Sequence, residues 1–290
     1  MLFLTSNPIS QRTQDTLADL QAEVDQETNF AGKAASAIRI WKNKTNNRAF
    51  EEIKAVLISM CVGTEICNYC EQNEATDIEH ILPKSFFPQD AFRWDNYLLA
   101  CKACNSGYKL DQIAVFSPSG SCTRFVVARN TQPPTQEVLM INPRLEDPFD
   151  YWQLNLETGM FLETPDEGTC EFQKANYTLE VVLHLNDREA LRTQRQMAAR
   201  DRLRDLKLIV NIHEAPDFAT LNQIVNENEP FINLDQNLPL DDLKRNLINN
   251  LRSALLNRPH PTVWAEIIRQ EATLDRFQQL FNRFPEARNW

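Results

Sequence analysis

Two C-x-x-C pairs, Cys67/Cys70 and Cys101/Cys104, bracket the part of the chain richest in groups that could do chemistry. Two residues between thiolates let both sulfurs turn toward one ion, and two such knuckles supply the tetrahedral four-sulfur shell that Zn2+ takes at ~2.3 Å. A shell closed by four thiolates leaves no position for a substrate, so this ion can only position its neighbours. The rival readings are four unrelated buried thiols or a redox pair, but no thioredoxin-like pattern surrounds either pair. Cys61, Cys122 and Cys170 have no spacing partner and read as core or free thiols.

Between the pairs run Asp77-Ile78-Glu79-His80-Ile81-Leu82-Pro83-Lys84-Ser85 and then Trp94-Asp95-Asn96-Tyr97-Leu98-Leu99-Ala100, which leads into Cys101-x-x-Cys104-Asn105 and ends at Lys109. Glu79 and Asn105 offer hard oxygen ligands of the kind that suit Mg2+ or Mn2+. His80 can act as a base near neutral pH, and Asn96 could hold its imidazole by a side-chain amide. Phosphodiester hydrolysis needs these parts: a base to deprotonate water, and a cation to offset charge on the phosphate and on the departing 3′ oxygen. A lone histidine is usually structural. One that adjoins a carboxylate and lies between zinc knuckles points instead to function.

The elements that must hold these groups follow from periodicity. Asp77–Leu82 alternates carboxylates with isoleucine and is closed by proline, which predicts a short strand. Upstream, apolar residues recur at helical spacing from Ile9 to Val24 and from Phe50 to Met60, so residues 1–60 form a helical N-terminal region. Residues 61–115 bear the metal ligands. In 116–185, prolines punctuate short apolar runs such as Thr123–Ala128 and Val138–Ile141, predicting a connector with short strands that packs on the metal-bearing segment. From 186 to 290 helical spacing returns, with Asn186 placed to cap the first helix and Pro259/Pro261 separating the last two. The expected fold is α+β and mostly α, with 186–290 a helical packing or partner-docking domain.

Charge and glycine content constrain the partners. The 290 residues carry a formal charge of −10 and only six glycines, which lie far apart, so no phosphate-binding glycine loop can be written. Residues 61–115 hold four basic against eight acidic side chains, so this segment is too acidic to attract nucleic acid alone. Two basic runs stand out. Lys33, Arg39, Lys42, Lys44 and Arg48 occur with no acid between residues 31 and 50, and read equally as a phosphate contact or a solvated face. Arg188, Arg192, Arg195, Arg200, Arg202, Arg204 and Lys207 are diluted by acids and read as an ion-paired helix face. No run is long and apolar enough to span a bilayer, and Met1–Leu4 lacks the basic flank and length of a signal core, which places the expectation in the cytoplasm with no membrane partner.

Cys67-x-x-Cys70, Glu79-His80, Asn96 and Cys101-x-x-Cys104-Asn105 resemble the HNH endonuclease motif. The resemblance implies a ββα-metal module in which His80 is the general base, Asn96 the central Asn, and Asn105 the metal ligand that is His in many members. Glu79, where Asp is common, would be a second ligand of a catalytic Mg2+ or Mn2+. The last helix would run from about Lys102 to Lys109, leaving Lys109 free to reach a phosphate. Lys84, Lys42, Lys44 and Arg48 are further candidates for nucleic-acid contact. Arg39–Phe50, Tyr69-Cys70-Glu71, Ile141-Asn142-Pro143, Asp147-Pro148 and Thr178–Asn186 are also similar to the HNH subunit of Septu-type anti-phage systems and related retron-associated nucleases. That likeness spans roughly residues 30–205. It implies an effector nuclease partnered by an ABC/SMC-like ATPase, with DNA favoured and RNA the alternative substrate. A zinc-stapled binding module without catalysis is the rival from another class.

Overall fold

Three helices lead the chain, and each begins at a side chain that caps it. The computed structural model describes residues 1–290 apart from Asn73 and Pro230. Helix α1 (Gln11–Asp25) starts at Ser10, whose hydroxyl accepts from the Thr13 N–H. Helices α2 (Phe30–Lys44) and α3 (Arg48–Ser59) start in the same way at Asn29 and Asn47. Leu17, Leu20 and Val24 of α1, Ile40 of α2 and Phe50, Ile53 and Leu57 of α3 turn inward and are buried. The Glu52 carboxylate of α3 accepts from the Ser10 N–H and from the Ser10 and Thr13 hydroxyls, fastening α3 to the start of α1.

Strand β1 (Asp77–His80) pairs antiparallel with β2 (Tyr97–Ala100), with Asp77 opposite Ala100 and His80 opposite Tyr97. Strand alternation places His80 on the opposite face from Asp77 and Glu79. The outer edge of β2 is covered by the first Cys knuckle. There the Asn68 N–H donates to the Leu99 carbonyl at 2.9 Å, and the Leu99 N–H donates to the Asn68 side-chain oxygen at 3.0 Å. The short helix after the second knuckle, Ala103–Lys109, is wound as a π-helix, with the Leu110 N–H donating to the Asn105 carbonyl five residues back.

The connector holds two more hairpins, β3 (Ala114–Phe116) with β4 (Arg124–Val126) and β5 (Trp152–Leu154) with β6 (Phe161–Glu163). It also holds a helix that the proline pattern does not announce. Helix α4 (Cys170–Asn176), capped by Thr169, runs on as a π-helical turn through Val182, in a stretch that is free of proline after Pro165. Cys122 and Cys170, expected to be core or free thiols, are joined in a disulfide. Forty-eight residues separate them, so no short spacing signals the pair. Arg144 is buried and ties the connector to the hairpin. One guanidinium nitrogen donates to the Trp94 carbonyl at 2.6 Å and the Tyr97 carbonyl at 2.8 Å; the other donates to the Ser6 hydroxyl at 2.6 Å.

The described residues form two compact units, Met1–Asn155 with Met160–Arg192, and Leu156–Gly159 with Thr193–Trp290. The second contains most of α5 (Glu189–Glu214) and all of α6 (Phe218–Asn228), α7 (Leu240–Leu256), α8 (Pro261–Arg269) and α9 (Asp275–Arg283). Its core is built from Leu208, Ile212, Leu221, Val225, Leu243 and Leu247. Asn186 does not cap α5 as expected. Its amide instead brackets Phe161 of β6, accepting from that residue's N–H and donating to its carbonyl, and the Arg188 carbonyl accepts the first bonds of the helix. The architecture is thus α+β and mostly α, with short strands in the middle of the chain and helices on either side. Among the described residues, no helix is long and apolar enough to cross a membrane.

Replacing Arg144 by Met strips hydrogen bonds from the Trp94 and Tyr97 carbonyls and should lower stability by about 2–4 kcal/mol in urea unfolding of the full chain. A loss below about 0.5 kcal/mol would show that these bonds do not hold the connector to the hairpin.

Candidate functional site

The four sulfurs of Cys67, Cys70, Cys101 and Cys104 lie within 4.8 Å of one another, and all four residues are buried. Cys70 and Cys101 have their sulfurs 3.8 Å apart, about the edge of a tetrahedron whose centre is ~2.3 Å from each corner, so the cluster fits Zn2+. Burial pushes the Cys67 thiol far up its pKa scale, and a dication is what would hold thiolates there. Arg188 donates to the Cys104 sulfur at 3.2 Å while lying 4.4 Å from the centre of the Tyr108 ring, so this arginine belongs to the surroundings of the cysteine cluster. Among the described residues, no other group of three or more His, Cys, Asp or Glu brings its donor atoms together in this way.

His80 is buried on the opposite face of β1 from Asp77 and Glu79. Its ring centre is 4.1 Å from that of Trp41 on α2 and 5.2 Å from that of Tyr97, both in edge-on contact. Its Nε2 is 2.9 Å from the Ala91 carbonyl oxygen. A carbonyl only accepts, so Nε2 carries the proton and the lone pair of the neutral ring is on Nδ1. Burial, and after it the nearby Lys84 ammonium, hold the His80 pKa well below the ordinary imidazole value, which keeps the ring neutral at neutral pH. The Tyr97 hydroxyl donates to the same Ala91 oxygen at 2.7 Å.

Asn96 does not touch the imidazole, contrary to expectation. Its amide donates to the Leu82 and Asp90 carbonyls at 3.0 and 2.9 Å, and its oxygen accepts from the Leu82 N–H at 2.7 Å. A strand residue facing His80 would have to project from β2; Asn96 precedes β2 and closes the ends of the loop that carries Ala91.

On the other face of β1, the Asn105 amide donates to the Asp77 carboxylate at 2.9 Å, leaving Asn105 Oδ1 as the oxygen a cation would take. Asp77 was not singled out in the sequence, although alternation with Glu79 was its signal. Glu79 is buried, with Oε1 2.6 Å from the Lys109 ammonium. Lys109 also donates to the His80 carbonyl at 2.8 Å and is buried, so it is not free to reach a phosphate as expected. Lys109, in the last turn of the π-helix, lies back against β1, where the Glu79 carboxylate pairs with its charge and the His80 carbonyl accepts its hydrogen bond.

Residues 64–115 match the family model for HNH endonucleases. No curated protein and no solved structure matches the chain. The HNH segment thus begins just before the first knuckle and includes the hairpin, the π-helix and both Cys pairs, whereas Trp41 and Arg188 lie outside it.

The basic residues around the HNH segment divide by what holds them. Lys44 and Arg39 are paired with Glu23, and Lys33 with Asp25, because α1 packs beside α2 and brings its last-turn acids against the run that is acid-free in sequence. Lys44, expected as a phosphate contact, is thus an exposed side chain paired with Glu23. Lys42 and Arg48 are exposed; Arg48 lines an open cavity of about 470 Å3 with Arg12, Thr16 and Asn47. Lys84 is half-buried, with its ammonium 5.5 Å from the centre of the Trp41 ring, and burial draws its pKa down.

Replacement of Lys109 by Met leaves the Glu79 charge buried without its partner and should destabilise the chain by about 3–5 kcal/mol, read from urea unfolding of the zinc-loaded protein. Unchanged stability would show that Glu79 finds compensation elsewhere.

Proposed function

We propose that the chain is a metal-dependent endonuclease that hydrolyses phosphodiester bonds through the HNH segment. The observation that carries this reading is the Ala91 bond, which commits His80 Nε2 as a donor and leaves Nδ1 as the basic atom of a neutral ring. In this role His80 takes a proton from the attacking water at Nδ1, and the resulting imidazolium is held by the Ala91 carbonyl. Trp41 and Tyr97 hold the ring edge-on so that the base does not swing.

On the opposite face of β1, Asn105 Oδ1 and the neighbouring Asp77 carboxylate would supply hard oxygen donors of the type Mg2+ or Mn2+ takes, and Glu79 would join them by sharing its carboxylate with Lys109. When bound, such an ion offsets the charge on the phosphate and on the leaving oxygen. Lys84, whose ammonium is paired with no carboxylate among the described residues, is the cation we assign to the scissile phosphate. Lys42 and Arg48, exposed on α2 and α3, extend contact along the backbone of the substrate. Asn96 serves as a positioning residue.

We further assign the activity to DNA and to an effector role in an anti-phage complex with an ABC-type ATPase. Support comes from the likeness of residues 30–205 to Septu-type nuclease subunits, from the −10 charge, which calls for a basic surface supplied by a partner, and from the lack of any nucleotide-binding glycine loop. Assays of the complex on duplex DNA and on RNA, with and without ATP, separate these readings.

His80→Gln keeps a donor for the Ala91 carbonyl but has no basic nitrogen. It should lower cleavage by about 10²–10⁴-fold in the presence of Mg2+ or Mn2+, with zinc content unchanged. Cutting at the wild-type rate would remove His80 as the base.

A further inference from the structure

The peptide bond between Ala91 and Phe92 is held at both of its polar ends. Its carbonyl accepts from His80 Nε2 and the Tyr97 hydroxyl, and its N–H donates to the side-chain oxygen of Gln21 on α1 at 3.1 Å. In a planar trans peptide the N–H and C=O point in opposite directions, so fixing one fixes the other. The Gln21 nitrogen donates in turn to the Pro88 carbonyl at 3.0 Å. Both halves of the amide are therefore engaged, and a flipped amide would set its NH2 against the Phe92 N–H. Gln21 can hold this position because its helix is anchored around it by buried Leu17, Leu20 and Val24. The loop from Ile81 to Asn96 is thus gripped by Asn96 at its ends and by Gln21 at the peptide that faces the imidazole.

We propose that Gln21 is a positioning residue for His80: it sets the plane of the Ala91–Phe92 peptide and thereby fixes His80 as the Nε2–H tautomer with its Nδ1 lone pair in a single direction. Gln21 lies more than forty residues before the HNH segment, so the site extends beyond the residues that match the family. The kinetic consequence rests on the reading of His80 as general base. The structural consequence, the tautomer, does not.

The test compares Gln21→Leu with Gln14→Leu in the full-length, zinc-loaded chain. Gln14, on the same helix, also donates from its amide to a backbone carbonyl, that of Ile9 at 3.0 Å, and so reports the cost of losing an α1 side-chain bond away from the loop. The His80 tautomer is read from the 15N shifts of its two ring nitrogens. Gln21→Leu should convert a single Nε2–H form into a mixture and lower kcat about tenfold with KM within about twofold, whereas Gln14→Leu leaves both unchanged. Melting temperature is followed for each variant, to separate positioning from general loss of stability. A tautomer that stays purely Nε2–H in Gln21→Leu overturns the proposal, whatever the rate does. A shifted tautomer with an unchanged kcat upholds the positioning and overturns the base reading instead.

Discussion

Four residues of β1 against four of β2 must keep an imidazole, a carboxylate and a lysine out of water, and a hairpin of that size is not stable alone. The convergence of four cysteines is what makes the rest possible. Cys67 and Cys70 fold the first knuckle onto the outer edge of β2 through Asn68, and Cys101 and Cys104 begin where β2 ends and launch the π-helix. The four sulfurs thus join the two knuckles beside the hairpin, with Asn68 covering the exposed edge of β2 and Lys109 lying back against Glu79. Arg188 and Arg144 strengthen the same frame from later parts of the chain, the first on a cysteine sulfur and the second on the carbonyls that flank Asn96.

The two faces of β1 differ in chemistry. On one, the Lys109 ammonium offsets the Glu79 charge while the Asn105 amide donates to the Asp77 carboxylate. On the other, His80 sits among Trp41, Tyr97 and a backbone carbonyl, where burial keeps it neutral. Within this hairpin, the carboxylates of Asp77 and Glu79 therefore lie on one face and the imidazole of His80, against aromatic rings, on the other.

Much of this was legible in the sequence, and the reasons for the remainder are physical. Cysteine spacing reveals a metal site because two residues between thiolates is a local geometric requirement, and the order Glu79-His80, Asn96, Asn105 is local in the same sense. The partners of long side chains are not. Lys109 reads as free because nothing within its own helix opposes it; its partners are on β1. Lys44 reads as unpaired because Glu23 is on a different helix, and Cys122 reads as unpaired because Cys170 is 48 residues away. Asn96 reads as an imidazole partner because a side chain that holds a loop by its carbonyls leaves no trace in residue types. Helix α4 was hidden because the prolines before it suggested an irregular segment throughout.

The proposed function places a divalent cation on Asp77 and Asn105, on the face of β1 opposite His80. It is tested most directly by titrating Mn2+ into the zinc-loaded, 15N-labelled full chain and following paramagnetic broadening, which needs neither a partner nor a cleavable substrate. The account predicts that the Asn105 side-chain amide and the backbone amides of Asp77–His80 broaden first, and that Asn105→Ala abolishes this at the same Mn2+ concentration. Broadening that begins elsewhere, or that is unaffected by Asn105→Ala, would contradict it.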